Sequence, residues 1–163
     1  MDTGNTSVNT LPALFKIVKY NFGWNPKHKT LDYGAGKYKQ MENALKAEGV
    51  EYYCRYDKYN KKENPYSIAS LLKIGFDVVI ISNVLNTIPT LDEQLVCVGN
   101  AKRLLGSTGV IYATVYEGNR SGEYEITRCG FQQNLPTTAY MEVFSNFRFK
   151  FIKRHGKLIV AEK

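Results

Sequence analysis

The run FDVVIIS, Phe76 to Ser82, constrains this chain most. Its four consecutive aliphatic residues, Val78 to Ile81, show no polar alternation. A strand built from them is buried on both faces, which happens when helices cover both sides of a parallel sheet. The surrounding pattern agrees. TLPALFKIVKYNF predicts a helix capped by Thr10, with Pro12 in its first turn and Leu11, Leu14, Phe15 and Val18 on one face. KTLDYG predicts a short strand, followed by a helix over 38–48 that Gly49 closes. VEYYCRYD predicts a second strand and SIASLLK a short helix. After FDVVIIS, the spacing of Leu91, Leu95, Val98, Ala101 and Leu105 predicts a helix; GSTG then turns the chain into the strand VIYATVY. A helix is expected over 138–146, and FRFKFIKR with KLIVAE reads as an antiparallel hairpin around His155-Gly156. The fold class expected is therefore α/β, a Rossmann-like open, mostly parallel sheet with a C-terminal antiparallel hairpin.

In such sheets ligands bind beyond the carboxyl ends of the strands, where strand order reverses. LDYGAGK occupies that place. Gly34 and Gly36 let the backbone approach a ligand closely, and free N–H groups beyond them would favour negative charge. Asp32 before the glycines would repel a phosphate and suits an ammonium group instead. There is no G-x-x-x-x-G-K-[ST] phosphate loop. Asp57 ends the second strand 21 residues past Gly36, the spacing at which an acid accepts both hydroxyls of a ribose. Together these residues ask for a nucleoside joined to an amino acid.

Composition narrows the setting. The 163 residues suit one hydrophobic core, and no apolar run is long enough to cross a bilayer. The first ten residues lack a basic-then-apolar secretory pattern. Three separated cysteines, Cys54, Cys97 and Cys129, read as reduced thiols, so a cytoplasmic location is expected. His28 and His155 stand at opposite ends of the chain and suggest no metal site. The net charge of +7 favours an anionic partner such as nucleic acid, although it also serves plain solubility.

LDYGAGKY, RYD, FDVVIISNVLNTIP and AKRLLGSTGVIYATVY together resemble the class I S-adenosylmethionine-dependent methyltransferases over 29–163. More narrowly, NVLNTIP and YEGNRSGEYEITRCGFQQN resemble small methyltransferases found in phages and beside DNA-modification genes, which would place the protein in a host cytoplasm. The resemblance implies one methyltransferase-like domain over 1–163, with 1–28 as an N-terminal helical extension. It implies S-adenosyl-L-methionine as cofactor, held by Asp32, Tyr33, Gly34 and Gly36 on the first turn. Asp57 and Lys58 would contribute from the second strand end, and Ser82 and Asn83 from the fourth of the family's strands. Two departures stand out. Lys37 replaces a third glycine, where it could instead pair with the methionine carboxylate. Only 18 residues separate Asp57 from Phe76, so the family's third strand is expected to be missing or vestigial, and its adenine-contacting acid has no counterpart.

Methyl transfer is an in-line displacement in which the protein aligns an acceptor and, where needed, removes its proton. Asn83 is the candidate for orientation and Glu117 for the base. SNVLNT lacks the Asn/Asp-Pro-Pro-aromatic motif of amino-methylating DNA enzymes. YYCRYDKYNKKENPY could stack bases and contact phosphates, or could pack as strand and solvated loop. Two rival readings are a catalytically silent cofactor- or nucleic-acid-binding module and a nicotinamide-dependent oxidoreductase. The order D-x-G-x-G, with an acid where a pyrophosphate would lie, speaks against the second. The 20 residues from Glu117 to Pro136 are either a lid bearing Arg120 and Arg128 or a small added hairpin.

Overall fold

The computed structural model describes residues 8–127 and 130–163; Arg128 and Cys129, and the lid role expected of Arg128, lie outside the described residues. In chain order the elements are α1 (Ala13–Asn21), β1 (Lys29–Tyr33), α2 (Gln40–Ala47), β2 (Tyr52–Tyr56), α3 (Ile68–Leu71) and β3 (Phe76–Ser82). A 3-10 turn (Leu85–Thr87) leads to α4 (Leu91–Leu104) and β4 (Leu105–Thr114). Then come β5 (Tyr124–Thr127), β6 (Gly130–Gln133), α5 (Thr137–Ser145), β7 (Phe151–His155) and β8 (Leu158–Glu162).

Six strands form one sheet in the order β2-β1-β3-β4-β8-β7. The pairs β1/β2, β1/β3 and β3/β4 are parallel, whereas β8 is antiparallel to both β4 and β7. The open, mostly parallel sheet with a terminal hairpin is thus the architecture expected from the sequence. Alternation along β3 explains its unbroken apolar run. Val79 and Ile81 pack with Leu31, Val98, Ala101 and Phe144 on one face. Val78 and Ile80 pack with Leu14, Val18, Met41 and Leu45 on the other. Each such side chain stabilises the fold by roughly 1.5–3 kcal/mol on full burial, so the sheet centre is fixed from both sides.

Helix α1 belongs to the second of these layers. Its cap differs from expectation: Pro12 occupies the N-cap position and no side chain caps the helix, so Thr10 is free for another use. The GSTG segment is not a separate turn. Strand β4 already begins at Leu105 beside Phe76, and the register jumps so that Val78 faces Val110, leaving the residues between to bulge. No strand lies outside β2 among the described residues, and the four-residue α3 returns the chain from this edge to β3. The third strand of the resembled family is missing, as its short linker predicts.

Candidate functional site

Strand order reverses between β1 and β3, since β1 leads outward to β2 while β3 leads the other way to β4. A cavity of about 600 Å³ opens at the carboxyl ends of these strands, within the range of ligand pockets. Its walls come from the strand ends and the residues just past them: Tyr33 and Gly34 at β1, Tyr56 to Tyr59 at β2, and Ser82 to Val84 at β3. Helix α4 supplies Glu93, Val96, Cys97 and Asn100, and Val8, Thr10 and Pro12 border the opening.

The glycine turn is built into this wall by a dense set of hydrogen bonds. Gly34 and Ala35 both donate N–H to the Tyr56 carbonyl, at 2.7 and 3.0 Å. Gly36 N–H donates to Asp57 Oδ2 at 2.8 Å. The Gly36 carbonyl accepts from Arg55 Nη2 and Asn64 Nδ2, and Arg55 also reaches the Tyr38 carbonyl. The N–H groups of residues 34 to 36 are therefore used internally, not left free for an anion. Helix α2 starts only at Gln40, three residues beyond Lys37, which weakens that expectation further. Gly34 (φ +90°) and Gly36 (φ +62°) both lie in the left-handed region that favours glycine. A Cβ at Gly34 would strike Val84 Cγ2, so the glycine turn packs directly against the side chain that follows β3.

Asp57 is buried yet lines the cavity. Its Oδ1 accepts from the N–H groups of Tyr59 and Asn60 and from Asn60 Nδ2, at 2.8–3.1 Å. Its Oδ2 accepts from Gly36 alone among the described residues. Lys58, Ser82 and Asn83 also line the cavity. Ser82 Oγ sits 3.5 Å from Thr114 Oγ1. Asn83 adopts a left-handed backbone (φ +56°), is fixed by its N–H to the Thr114 carbonyl, and leaves its amide side chain exposed. Burial raises the Tyr33 hydroxyl well above its ordinary range and pushes the Cys97 thiol up to about 12, so both line the floor as neutral groups.

Four expected site residues lie outside the cavity wall, and Gly36 is the first, buried in its bonds to Asp57, Arg55 and Asn64. Asp32 follows strand alternation to the opposite face of the sheet, where its Oδ2 accepts the Tyr53 hydroxyl at 2.9 Å. Burial pushes its carboxyl up to about 6, and it does not line the cavity as an ammonium partner would. Lys37 is exposed, with its ammonium 5.2 Å from the Tyr38 ring centre, outside the cavity wall. Glu117 is the clearest correction. Its carboxylate accepts the Thr137 N–H and hydroxyl at 2.8 Å, and Arg120 binds it through Nε and Nη2. These donors, the Thr137 backbone first, hold it down to about 2, and a carboxylate so held is a poor base. It fastens the end of β4 to the start of α5.

The 117–136 segment likewise differs from a lid. Its described residues include the β5/β6 hairpin, and none of these described residues lines the cavity. Asn86, buried in the 3-10 turn, joins it by donating to Gln132 Oε1 and accepting from Tyr116 N–H. Gln94 adds bonds to Leu85 and Ile88 carbonyls and to Gln133. The hairpin thus props the wall from behind, and Arg120 is occupied by Glu117.

Sequence reasoning missed the contribution of α4. Glu93, Val96, Cys97 and Asn100 recur at helical spacing on a second stripe beside the apolar one, and that stripe was the available signal. The part played by Val8, Thr10 and Pro12 left no local signature, because it follows from where α1 docks.

No protein-family model and no curated protein matches the sequence. Solved methyltransferase structures do superpose on it. A SAM dependent methyltransferase from Archaeoglobus fulgidus gives a TM-score of 0.64 at 12% identity, covering 92% of this chain and 93% of that one. The Burkholderia thailandensis 1,6-didemethyltoxoflavin-N1-methyltransferase, solved with 1,6-didemethyltoxoflavin and S-adenosylhomocysteine, gives 0.63 at 14% identity, covering 92% and 76%. A SAM dependent methyltransferase from Aquifex aeolicus gives 0.58 at 12% identity, covering 93% and 89%. The fold is that of the class I methyltransferases. At these identities the likeness carries the fold alone.

Proposed function

We propose that the chain is an S-adenosylmethionine-dependent methyltransferase whose cofactor occupies the cavity at the strand-order reversal. Asp57 is the observation that carries this reading. It directly follows β2, lines the cavity, and keeps a lone pair on Oδ2 that a ribose hydroxyl can fill. Tyr33, Tyr56, Val84 and Val96 give the cavity apolar walls, while Asp57, Ser82, Asn83 and Asn100 give it polar points, a donor and acceptor set that fits a nucleoside. The neighbours in fold are methyltransferases, which favours turnover over a silent binding module.

Bound, S-adenosylmethionine supplies a methyl group already activated on a sulfonium, so the chain's own work is alignment. The exposed Asn83 amide orients the acceptor by offering its carbonyl. Proton removal falls to Glu93, because Asp57 is committed to four donors and Glu117 is outside the cavity. Glu93 is steadied by the Thr90 hydroxyl at 2.8 Å. The buried reduced thiols of Cys54 and Cys97 suit a cytoplasmic setting. No helix among the described residues is long and apolar enough to cross a membrane.

Calorimetry with S-adenosylhomocysteine and with NAD tests the reading. S-adenosylhomocysteine should bind and NAD should not, and Asp57→Ala should weaken the former by about tenfold or more. Binding of NAD, or an unchanged affinity in Asp57→Ala, would overturn it.

A further inference from the structure

The missing third strand leaves β2 as the sheet edge, and the residues around this edge have a consistent chemistry. Two loops meet beside it, because Gly36 is bonded to both Asp57 and Asn64. Lys37 and Lys39 come from the first loop; Lys58, Lys61 and Lys62 come from the second. All five are exposed, and none makes an ion pair among the described residues. Three of them instead lie near tyrosine rings: Lys37 by Tyr38, Lys58 by Tyr59, and Lys61 by Tyr56 at 4.7 Å. Tyr52, Tyr59 and Tyr66 are each more than two-fifths exposed, large apolar rings that the core does not use. Tyr52 and Tyr66 are near enough to couple electrically, at the far end of β2 from the cavity. Tyr59 lines the cavity itself.

We propose that this β2-side rim is the docking surface for a single-stranded nucleic acid. Unpaired cations along a track suit phosphates, and interleaved open rings suit unstacked bases. A duplex would satisfy the cations but could not use the rings, since its bases are already stacked. The track ends at the cavity, so a strand lying along β2 would present a base to Asn83 and Glu93. That last step rests on the methyl-transfer reading, whereas the docking does not.

Fluorescence anisotropy with a labelled 12-residue oligodeoxythymidine, an oligouridine of equal length and a 12-base-pair duplex tests the proposal. Either single strand should bind more tightly than the duplex, and the tighter of the two identifies the source as DNA or RNA. A triple variant, Lys39→Ala, Lys61→Ala and Lys62→Ala, should flatten the slope of log affinity against log salt by about 2. The control triple Lys16→Ala, Lys27→Ala and Lys153→Ala, which removes the same charge elsewhere, should leave it nearly unchanged. Tyr66→Ala should weaken binding about fivefold or more without altering that slope. Equal losses from both triples, or duplex binding as tight as single-strand binding, would overturn the docking surface. S-adenosylhomocysteine affinity of the rim variants, read by calorimetry, should remain at the wild-type level. If it does while oligonucleotide binding is absent, the rim proposal fails and the methyltransferase reading stands.

Discussion

Strand alternation sends Tyr33 into the cavity and Asp32 to the opposite face, and this one-residue step determines what each can do. Burial raises the folded-state carboxyl of Asp32 from 3.8 to about 6, so the folded protein takes up a proton more readily than the unfolded chain. Its contribution to stability is therefore greatest below about pH 4 and declines as pH rises through 6. Above that, the buried charge costs on the order of 3 kcal/mol. Asp32→Asn keeps an acceptor for the Tyr53 hydroxyl and removes the charge. It should raise the melting temperature at pH 8 and flatten the stability profile between about pH 4 and 6, with S-adenosylhomocysteine affinity unchanged. A lower melting temperature at pH 8 would mean that Arg55 needs the charge. Gly34 gives a second residue-scale test. Gly34→Ala suffers both the left-handed backbone and the clash with Val84. In a Val84→Ala background the clash disappears, so the double-mutant cycle should show a coupling of about 1 kcal/mol or more. Additive losses would show that backbone strain alone is responsible.

Glu117 shows how an element junction can look like a catalytic group in sequence. An acid just past a strand end is where a base would be sought, and only the start of α5, 20 residues later, reveals its partner Thr137. Because its folded-state carboxyl is lowered from 4.5 to about 2, it contributes stability above about pH 4.5 and loses it as pH falls toward 2. Glu117→Gln should remove that acid-side decline and destabilise the protein at neutral pH by roughly 1–3 kcal/mol, since Thr137 and Arg120 lose a charged acceptor. Denaturant melts between pH 2 and 7 give the comparison, and superimposable curves would release Glu117 from the junction. Elements whose logic is local were legible: the β3 run, the glycine turn, the C-terminal hairpin and the short link that omits a strand. That Asp57 stands beside the glycine turn was legible, because its spacing from Gly36 reflects a contact the fold makes. What escaped was set by tertiary docking: the turn's N–H groups satisfied by Tyr56, the hairpin behind the 3-10 turn, and the α4 stripe.

At the scale of the molecule, the cavity is the place where otherwise separate parts share a boundary. Three strand ends, one face of α4 and the segment before α1 all contribute to it, while β7 and β8 do not. A ligand there ties these parts together, and its binding free energy adds to the stability of the fold by mass action. S-adenosylhomocysteine at a hundred times its dissociation constant should add about 2.7 kcal/mol. For a chain of this length that is a rise in melting temperature of roughly 5–10 °C. Hydrogen exchange should slow at the ends of β1, β2 and β3 and along α4, with little change in the β7/β8 hairpin. Asp57→Ala separates the two contributions of its carboxylate. It should lower the melting temperature of the free protein, because Gly36 and the 59–60 turn lose their acceptor. It should also shrink the ligand-induced rise at the same S-adenosylhomocysteine concentration, because the ribose loses its partner. A variant that melts lower yet shows the full ligand-induced rise would make Asp57 a brace for the glycine turn and remove it from the cofactor site.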